Sequence, residues 1–158
     1  MSINTSGLPA YQEQQVKKIK KLKRELWQRQ LEKKFAEEGC PPATQDVALN
    51  LKNRQNAIDV ALYGPMDIKN PGDYWKKIAD KWGVDEEAAK LETCGNCAAF
   101  NIKKSMLDCI AKGIGTEPSQ DPWDVIEAGD LGYCEIFKFK CNGNRSCSAH
   151  IDGGPIKD

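Results

Sequence analysis

Seven cysteines are the residues of this sequence best suited to chemistry, and six of them lie between Cys94 and Cys147. The series opens with the C-x2-C pair Cys94 and Cys97, whose intervening Gly95-Asn96 are residue types that accept the backbone angles of a tight turn. Four single cysteines follow: Cys109, Cys134, Cys141 and Cys147. Because we expect the chain to fold in a reducing cytoplasm, this clustering favours metal binding over a disulfide framework.

Several chemistries remain open for these thiols. One or two can be ordinary buried thiols, and we expect Cys40, beside Pro41, to be a free thiol. A redox C-x2-C needs a surrounding thioredoxin-like strand and helix, which the sequence does not indicate. Structural zinc usually uses a second short knuckle, which is missing here, although His150 could supply one ligand. An iron–sulfur cluster accepts thiolates that are widely spaced in the sequence. Disulfides remain an alternative if the mature protein leaves the cell.

Bulky apolar residues surround the later cysteines and could exclude water from a cluster. Among them we expect Phe100, Tyr133 and Phe137 to form its shell, with Ile136 and Phe139 close by in the sequence.

The elements that must position these residues divide the chain into three stretches: an N-terminal helical arm (1–38), a helical connector (39–93) and a cysteine-rich domain (94–158). Residues 10–38 lack Gly and Pro, and Gly39 with two prolines predicts a firm stop. Their apolar stripe drifts around the helix from Val16 to Phe35 instead of keeping one heptad seam. We therefore predict a mainly α protein with little β, whose small loop-rich cysteine domain is built around a metal cluster.

Shorter patterns place further elements in the connector and the cysteine region. QDVALNLKNRQNAIDVALYG predicts a helix that buries Val47, Leu51, Ile58, Ala61 and Leu62. DYWKKIADKWG predicts a helix ended by Gly83 with Trp75 and Trp82 in the core, and VDEEAAKLE predicts another. SMLDCIAKGIG predicts a helix closed by Gly113 or Gly115, and DPWDVIEAGDLGYC a single helical turn. EIFKFK alternates apolar and polar residues, which predicts a strand.

Charge and motif content exclude several functions. Lys+Arg and Asp+Glu both number 23, which argues against a nucleic-acid binder, although residues 10–38 hold nine Lys/Arg against five Glu. There is no apolar stretch of about 18 residues, and the first residues lack a signal-peptide core, so neither a membrane span nor secretion by that route is expected. With no phosphate-binding loop and one histidine, we expect no enzyme; capping explains Asp121 and Asp124.

CGNCAAF and GYCEIFKFKCNGNRSCSAH resemble the cluster-binding segments of high-potential iron–sulfur proteins. The resemblance implies a 4Fe–4S cluster held by Cys94, Cys97, Cys134 and Cys147, with His150 where that family has an aromatic residue. The interval from Cys97 to Cys134 is longer than in the family and contains Cys109, and Cys141 has no counterpart. Either extra cysteine could therefore replace one of the four, or the two could lie together as thiols.

The longer pattern from YGPMDIKNPGDYWKKIADKW through CGNCAAF to GGPI resembles a small cysteine-rich virion protein of tailed bacteriophages. This resemblance implies a structural component of the tail, baseplate or neck, made in the host cytoplasm and present in multiple copies. Its partners would be other virion structural proteins, contacted through the N-terminal helix. Two alternatives stay open: a small electron-transfer iron–sulfur protein, and a zinc-binding interaction module.

Overall fold

The computed structural model describes the backbone of residues 10–37, 39–115 and 120–158, and in the first helix it describes the side chains of residues 10–26 and 29. It divides the chain into two compact units, Met1–Gly39 and Cys40–Asp158. The helices are α1 (Ala10–Glu37), α2 (Pro42–Gln45), α3 (Val47–Ala61), α4 (Tyr74–Trp82), α5 (Glu86–Lys90), α6 (Lys104–Ile114) and α7 (Pro122–Ala128). The strands are β1 (Phe100–Asn101), β2 (Leu131–Cys134) and β3 (Phe139–Asn142). The prediction of a mainly α protein with little β is confirmed.

Helix α1 forms the first unit, as the absence of Gly and Pro predicts, and Gly39 follows it with a φ of 76°. Four of its described apolar side chains are exposed, Tyr11 by 71%, Ile19 by 50%, Leu22 by 54% and Leu26 by 56%, whereas Val16 is half-buried. The later part of the predicted stripe, Trp27, Leu31 and Phe35, lies outside the described side chains. Within its own unit, this helix therefore leaves most of the described part of its apolar stripe in solvent. None of the helices described is both long and apolar enough to cross a membrane.

Helix α3 begins the part of the second unit that supports the cysteines. Its buried residues are Ala57 and Ala61, whereas Val47 and Leu51 are 62% and 56% exposed, so their predicted burial is wrong. The reason is that α3 packs against β3 through small and polar residues. Asn50 Oδ1 accepts a hydrogen bond from Lys140 N at 2.7 Å, and Asn53 Nδ2 donates one to Lys138 O at 2.6 Å.

Helices α4 and α5 pack together as a small hairpin. Gly83 ends α4 in the left-handed conformation, as predicted, and Asp85 Oδ1 caps α5 by accepting a hydrogen bond from Ala88 N. Their shared core holds Trp75, Ile78, Ala79 and Ala89, with Trp82 partly buried beside it. Burial of Trp75 is therefore confirmed, and Trp82 lies at the margin of this core.

The three strands form one antiparallel sheet in the order β1-β2-β3. Phe100 pairs with Cys134, and Cys134 with Phe139. The strand predicted for EIFKFK is wrong for residues 135–138, which form the turn between β2 and β3. There Lys138 takes a φ of 58° and its N–H donates to Cys134 O at 2.8 Å. Period-two alternation did not reveal this turn because no Gly or Pro marks it.

Helix α6 ends at one of its two predicted glycines, and α7 is longer than the sequence predicts. Helix α6 runs through Gly113 and ends before Gly115, whose φ is 80°. Helix α7 covers Pro122–Ala128, more than the predicted single turn, and Asp121 Oδ1 caps it by accepting from Trp123 N. The capping explanation of Asp121 is confirmed.

A disulfide joins Cys40 to Cys109 across a sequence separation of 69 residues. The prediction of a free thiol at Cys40 is therefore wrong, and Cys109 is not available to lie beside Cys141. The bond forms because α2 packs on α6 next to it, where Gln45 Nε2 donates to Cys109 O at 2.7 Å. Sequence spacing alone could not indicate a pairing this distant.

Reduction of this disulfide is expected to destabilise the second unit by about 4 kcal/mol, because closing a long loop lowers the entropy of the unfolded chain. Chemical denaturation of Cys40→Ser/Cys109→Ser against the oxidised wild type measures the loss. An unchanged unfolding free energy, or a thiol count on the oxidised protein that includes Cys40 and Cys109, contradicts the bond.

Candidate metal centre

The five cysteines outside the disulfide gather in one apolar cluster of the second unit. Cys94, Cys97 and Cys141 are buried there, and Cys134 and Cys147 are partly buried against it. The structure therefore brings together all four of the cysteines chosen from the sequence, and adds Cys141 to them. Residues 94–147 supply these thiols from four separate places in the fold: the C-x2-C turn, the end of β2, β3 and the loop that follows β3.

The C-x2-C turn is a short 3₁₀ helix, Cys94–Asn96, in which Cys97 N donates to Cys94 O at 3.0 Å. Cys94 N donates to Arg145 O at 2.6 Å, and Gly95 N donates to Gly143 O at 2.9 Å. A Cβ on Gly95 would lie 3.0 Å from Gly143 O, so glycine permits this close approach. These bonds fix the C-x2-C turn to the loop that leads to Cys147.

Hydrogen bonds from the connector, residues 39–93, hold the loop that carries Cys147. Ser146 and Gly64 exchange two backbone hydrogen bonds, of 3.0 and 2.7 Å. The fully buried Ser146 also donates from Oγ to Glu92 O, and its carbonyl accepts from Tyr74 Oη at 2.9 Å. The position of Cys147 thus depends on residues more than 50 positions away.

Backbone N–H groups point at three of the sulfurs. Ala99 N and Ile151 N lie 3.5 Å from Cys97 Sγ, and Phe137 N lies 3.4 Å from Cys134 Sγ. The backbone at Ile136 also bonds Cys134, and the backbone at Ala149 bonds Cys147. Such donors stabilise the thiolate form that a metal ion requires.

In the absence of a cation, burial disfavours the negative charge of the thiolates, which the backbone N–H donors stabilise. Burial raises the pKa of Cys134, and it raises the pKa of Cys147 to about 12, with neighbouring cysteines adding to both shifts. A hydrogen bond to Cys94, followed by burial, raises the pKa of Cys141 well above its usual value. A positively charged metal centre would reverse this balance by stabilising the thiolates.

The spacing of the sulfurs bears on the kind of centre they could hold. Among the described residues, which include all five cysteines, no three sulfurs lie within 4.8 Å of one another. Four thiolates on one zinc ion would lie about 3.8 Å apart, given Zn–S bonds of about 2.3 Å. The observed arrangement is therefore wider than a closed tetrahedral zinc site.

The apolar surroundings differ in part from the predicted shell. Phe100 and Phe137 contact the cysteine cluster, but Tyr133 belongs to a separate core with Ile110 and Ile126. Ile136 is 42% exposed. Phe139 and Tyr63 complete the cluster, with ring centroids 4.9 Å apart. Tyr63 comes from the connector, and no motif in the sequence relates it to the cysteines.

Replacing Tyr63 with phenylalanine is expected to destabilise the second unit by about 1–2 kcal/mol. Tyr63 Oη accepts a hydrogen bond from Asn142 N at 2.9 Å, and the variant leaves that donor without its partner while keeping the ring. Thermal unfolding of Tyr63→Phe measures the effect. Tyr11→Phe is the control, since Tyr11 is 71% exposed on α1, and equal stability of both variants contradicts the prediction.

His150 lies beside the cysteine cluster with its ring 6.1 Å from that of Trp82. Its Nε2 is 2.8 Å from Asn96 Oδ1, within the C-x2-C turn. It therefore contacts the C-x2-C turn through the side chain of Asn96. Compared with known proteins, the chain matches no family model, no curated protein and no solved structure.

Proposed function

We propose that this chain is a structural protein whose residues 40–158 are held together by a 4Fe–4S cluster bound to Cys94, Cys97, Cys134 and Cys147. The observation that carries the proposal is the convergence of thiols from distant loops into one apolar cluster, with backbone N–H donors directed at three of them. When bound, the cluster would be attached to the chain through four bonds between its iron atoms and the cysteine sulfurs.

The width of the thiol arrangement supports a cluster over a single zinc ion. Five sulfurs of which no three lie within 4.8 Å of one another suit a larger inorganic core. The enclosing side chains are apolar, with Phe100 5% and Phe139 1% exposed, and such groups keep water away from a cluster.

Cys94 is preferred to Cys141 as the fourth ligand. The two side chains are hydrogen-bonded, and this bond together with burial raises the pKa of Cys141. Cys94 also lies in the C-x2-C turn with Cys97, on the segment fixed to the Cys147 loop. Cys141 then serves as a buried thiol beside the cluster.

A cluster would matter for stability because little regular structure joins these loops. The sheet has strands of two, four and four residues. A small unit of this kind buries limited apolar surface, so metal binding contributes directly to its folding free energy.

Helix α1 supports a place in a larger assembly. Its exposed apolar residues, including Leu22 and Leu26, would be buried against a neighbouring subunit. Together with the resemblance to a tailed-bacteriophage protein, this favours a virion component of the tail, baseplate or neck, present in several copies. Antibodies against the chain should then label purified particles, and their absence from particles contradicts the virion assignment.

Electron transfer is the second candidate, favoured by the partial exposure of Cys134 and Cys147. A cluster ligated there would lie near the surface, within reach of a redox partner. Voltammetry of the purified protein separates the two functions. A reversible wave at an accessible potential supports electron transfer, and its absence supports the structural role.

Anaerobic purification tests the cluster itself. We expect a brown protein with about four irons and four sulfides per chain. Cys94→Ser should lose the visible absorption, whereas the matched variant Cys141→Ser should keep it. A colourless wild type with one zinc per chain contradicts the cluster. If Cys141→Ser loses the colour and Cys94→Ser keeps it, Cys141 is the fourth ligand in place of Cys94.

A further inference from the structure

A histidine and two carboxylates meet beside the cysteine cluster. His150 Nδ1 lies 3.4 Å from Glu92 Oε2 and 3.8 Å from Asp152 Oδ1. The three ligand atoms lie within 4.8 Å of one another, the only such group among the described residues. We infer that Glu92, His150 and Asp152 form a second metal site, which binds a divalent transition-metal ion of the zinc type.

Asn96 determines which ring nitrogen of His150 carries the proton. Asn96 Nδ2 donates to Leu91 O at 2.7 Å, and its Oδ1 accepts from Thr93 N at 3.1 Å. These two backbone partners fix the orientation of the amide, so the oxygen faces His150 Nε2 at 2.8 Å. An oxygen can only accept, and therefore Nε2 carries a hydrogen and donates it.

With Nε2 directed at Asn96, the other ring nitrogen, Nδ1, faces the two carboxylates. Three electron-rich atoms at this separation need a positive charge between them, from a proton on Nδ1 or from a metal ion. A metal ion placed between them would be bound by Nδ1 and by one oxygen of each carboxylate. Histidines that bind metals donate their other ring N–H to a fixed acceptor, as His150 does to Asn96.

The surroundings favour a metal ion over a simple surface ion pair. The His150 side chain is only 4% exposed, and its ring is held beside Trp82, whose Nε1 donates to Ser148 O at 3.1 Å. The backbone of Glu92 is fixed by the Ser146 hydroxyl. The His150 ring and the backbone of Glu92 are therefore positioned before any ion arrives, whereas Asp152 completes the site from its exposed side.

A pocket of about 320 Å³ opens over the three ligands, lined further by Trp82, Val84 and Ala88. One nitrogen and two carboxylate oxygens leave at least one coordination position of a tetrahedral zinc ion for water or a small ligand from this pocket. The site is distinct from the cysteine centre, because none of its ligands is a thiol.

Calorimetric titration of the full-length protein, purified with its cysteine centre loaded, tests the site with ZnCl₂ as the probe. We expect one zinc ion per chain beyond that centre. Asp152→Asn should weaken binding by more than about tenfold, and His150→Gln should abolish it. Asp152 is 89% exposed at its side chain, so its replacement leaves the fold intact even if His150→Gln does not fold.

Glu86→Gln is the matched control, since it removes one exposed carboxylate of α5 that is not part of the group, and it should bind zinc like the wild type. Cobalt(II) then identifies the ligands, and a spectrum without sulfur-to-cobalt charge transfer is expected. Equal zinc affinity in wild type and Asp152→Asn, no zinc binding by the wild type, or a sulfur-to-cobalt band would each overturn the site.

Discussion

Replacing Cys97 with serine is expected to unfold residues 40–158, with a loss of about 5 kcal/mol or more. Cys97 is 8% exposed, and its sulfur accepts hydrogen bonds from the backbone of Ala99 and Ile151. Serine would remove one proposed ligand and leave a buried hydroxyl where two N–H groups are spaced for sulfur. Because small domains have stabilities of only about 5–15 kcal/mol, such a loss removes the folded state.

Thermal unfolding and circular dichroism of Cys97→Ser measure this effect, with Cys141→Ser as the matched control. Cys141 is 2% exposed in the same cluster, so the control makes the same chemical change at an equally buried site without removing a proposed ligand. It should lose far less stability. A folded Cys97→Ser protein with the stability of Cys141→Ser would falsify the structural role of the centre.

The second large effect is expected at Gly113, inside α6. An added Cβ there would overlap Thr44 O and lie 2.8 Å from Thr44 C, which are backbone atoms of α2. Since backbone cannot move aside as the end of a side chain can, Gly113→Ala should destabilise the second unit by about 3 kcal/mol by forcing α2 away from α6.

Denaturant unfolding of Gly113→Ala checks this expectation, with Gly129→Ala as control. At Gly129 the nearest atoms to an added Cβ are the side-chain tip of Leu131, at 3.1 and 3.2 Å, which can shift at small cost. Helix propensity alone predicts the opposite sign, a gain of about 1 kcal/mol for alanine in a helix. A stabilised Gly113→Ala protein would show that α2 and α6 are not packed so closely.

Helices marked by local signals could be predicted from the sequence. Gly83 ends α4 and Gly39 follows α1, and in both cases glycine takes the positive φ that other residues avoid. The exposed Val47 and Leu51 of α3 could not be predicted, because the helix is oriented by asparagines that bond β3 and the turn before it. Apolar spacing carries no information about such polar contacts.

In the candidate metal centre, too, the residues of a local motif could be predicted from the sequence, whereas those brought in by tertiary packing could not. The C-x2-C turn is local, so its residues identify Cys94 and Cys97 directly. That Cys134 and Cys147 join them depends on the sheet register and on the Ser146–Gly64 bonds. Tyr63 and the disulfide partner of Cys40 are set by tertiary packing across long stretches of chain, and no spacing rule reports them.

The disulfide also has a mechanical consequence for a protein fastened through its N-terminal helix. The second unit begins at Cys40, directly after Gly39, so tension applied to α1 enters that unit at a residue covalently bonded to α6. The force passes through sulfur to the middle of the unit, and α2 and α3 are not peeled away in sequence. While the disulfide is intact, a pull on α1 cannot lengthen the segment between Cys40 and Cys109, so helices α2 to α5 are shielded from that force.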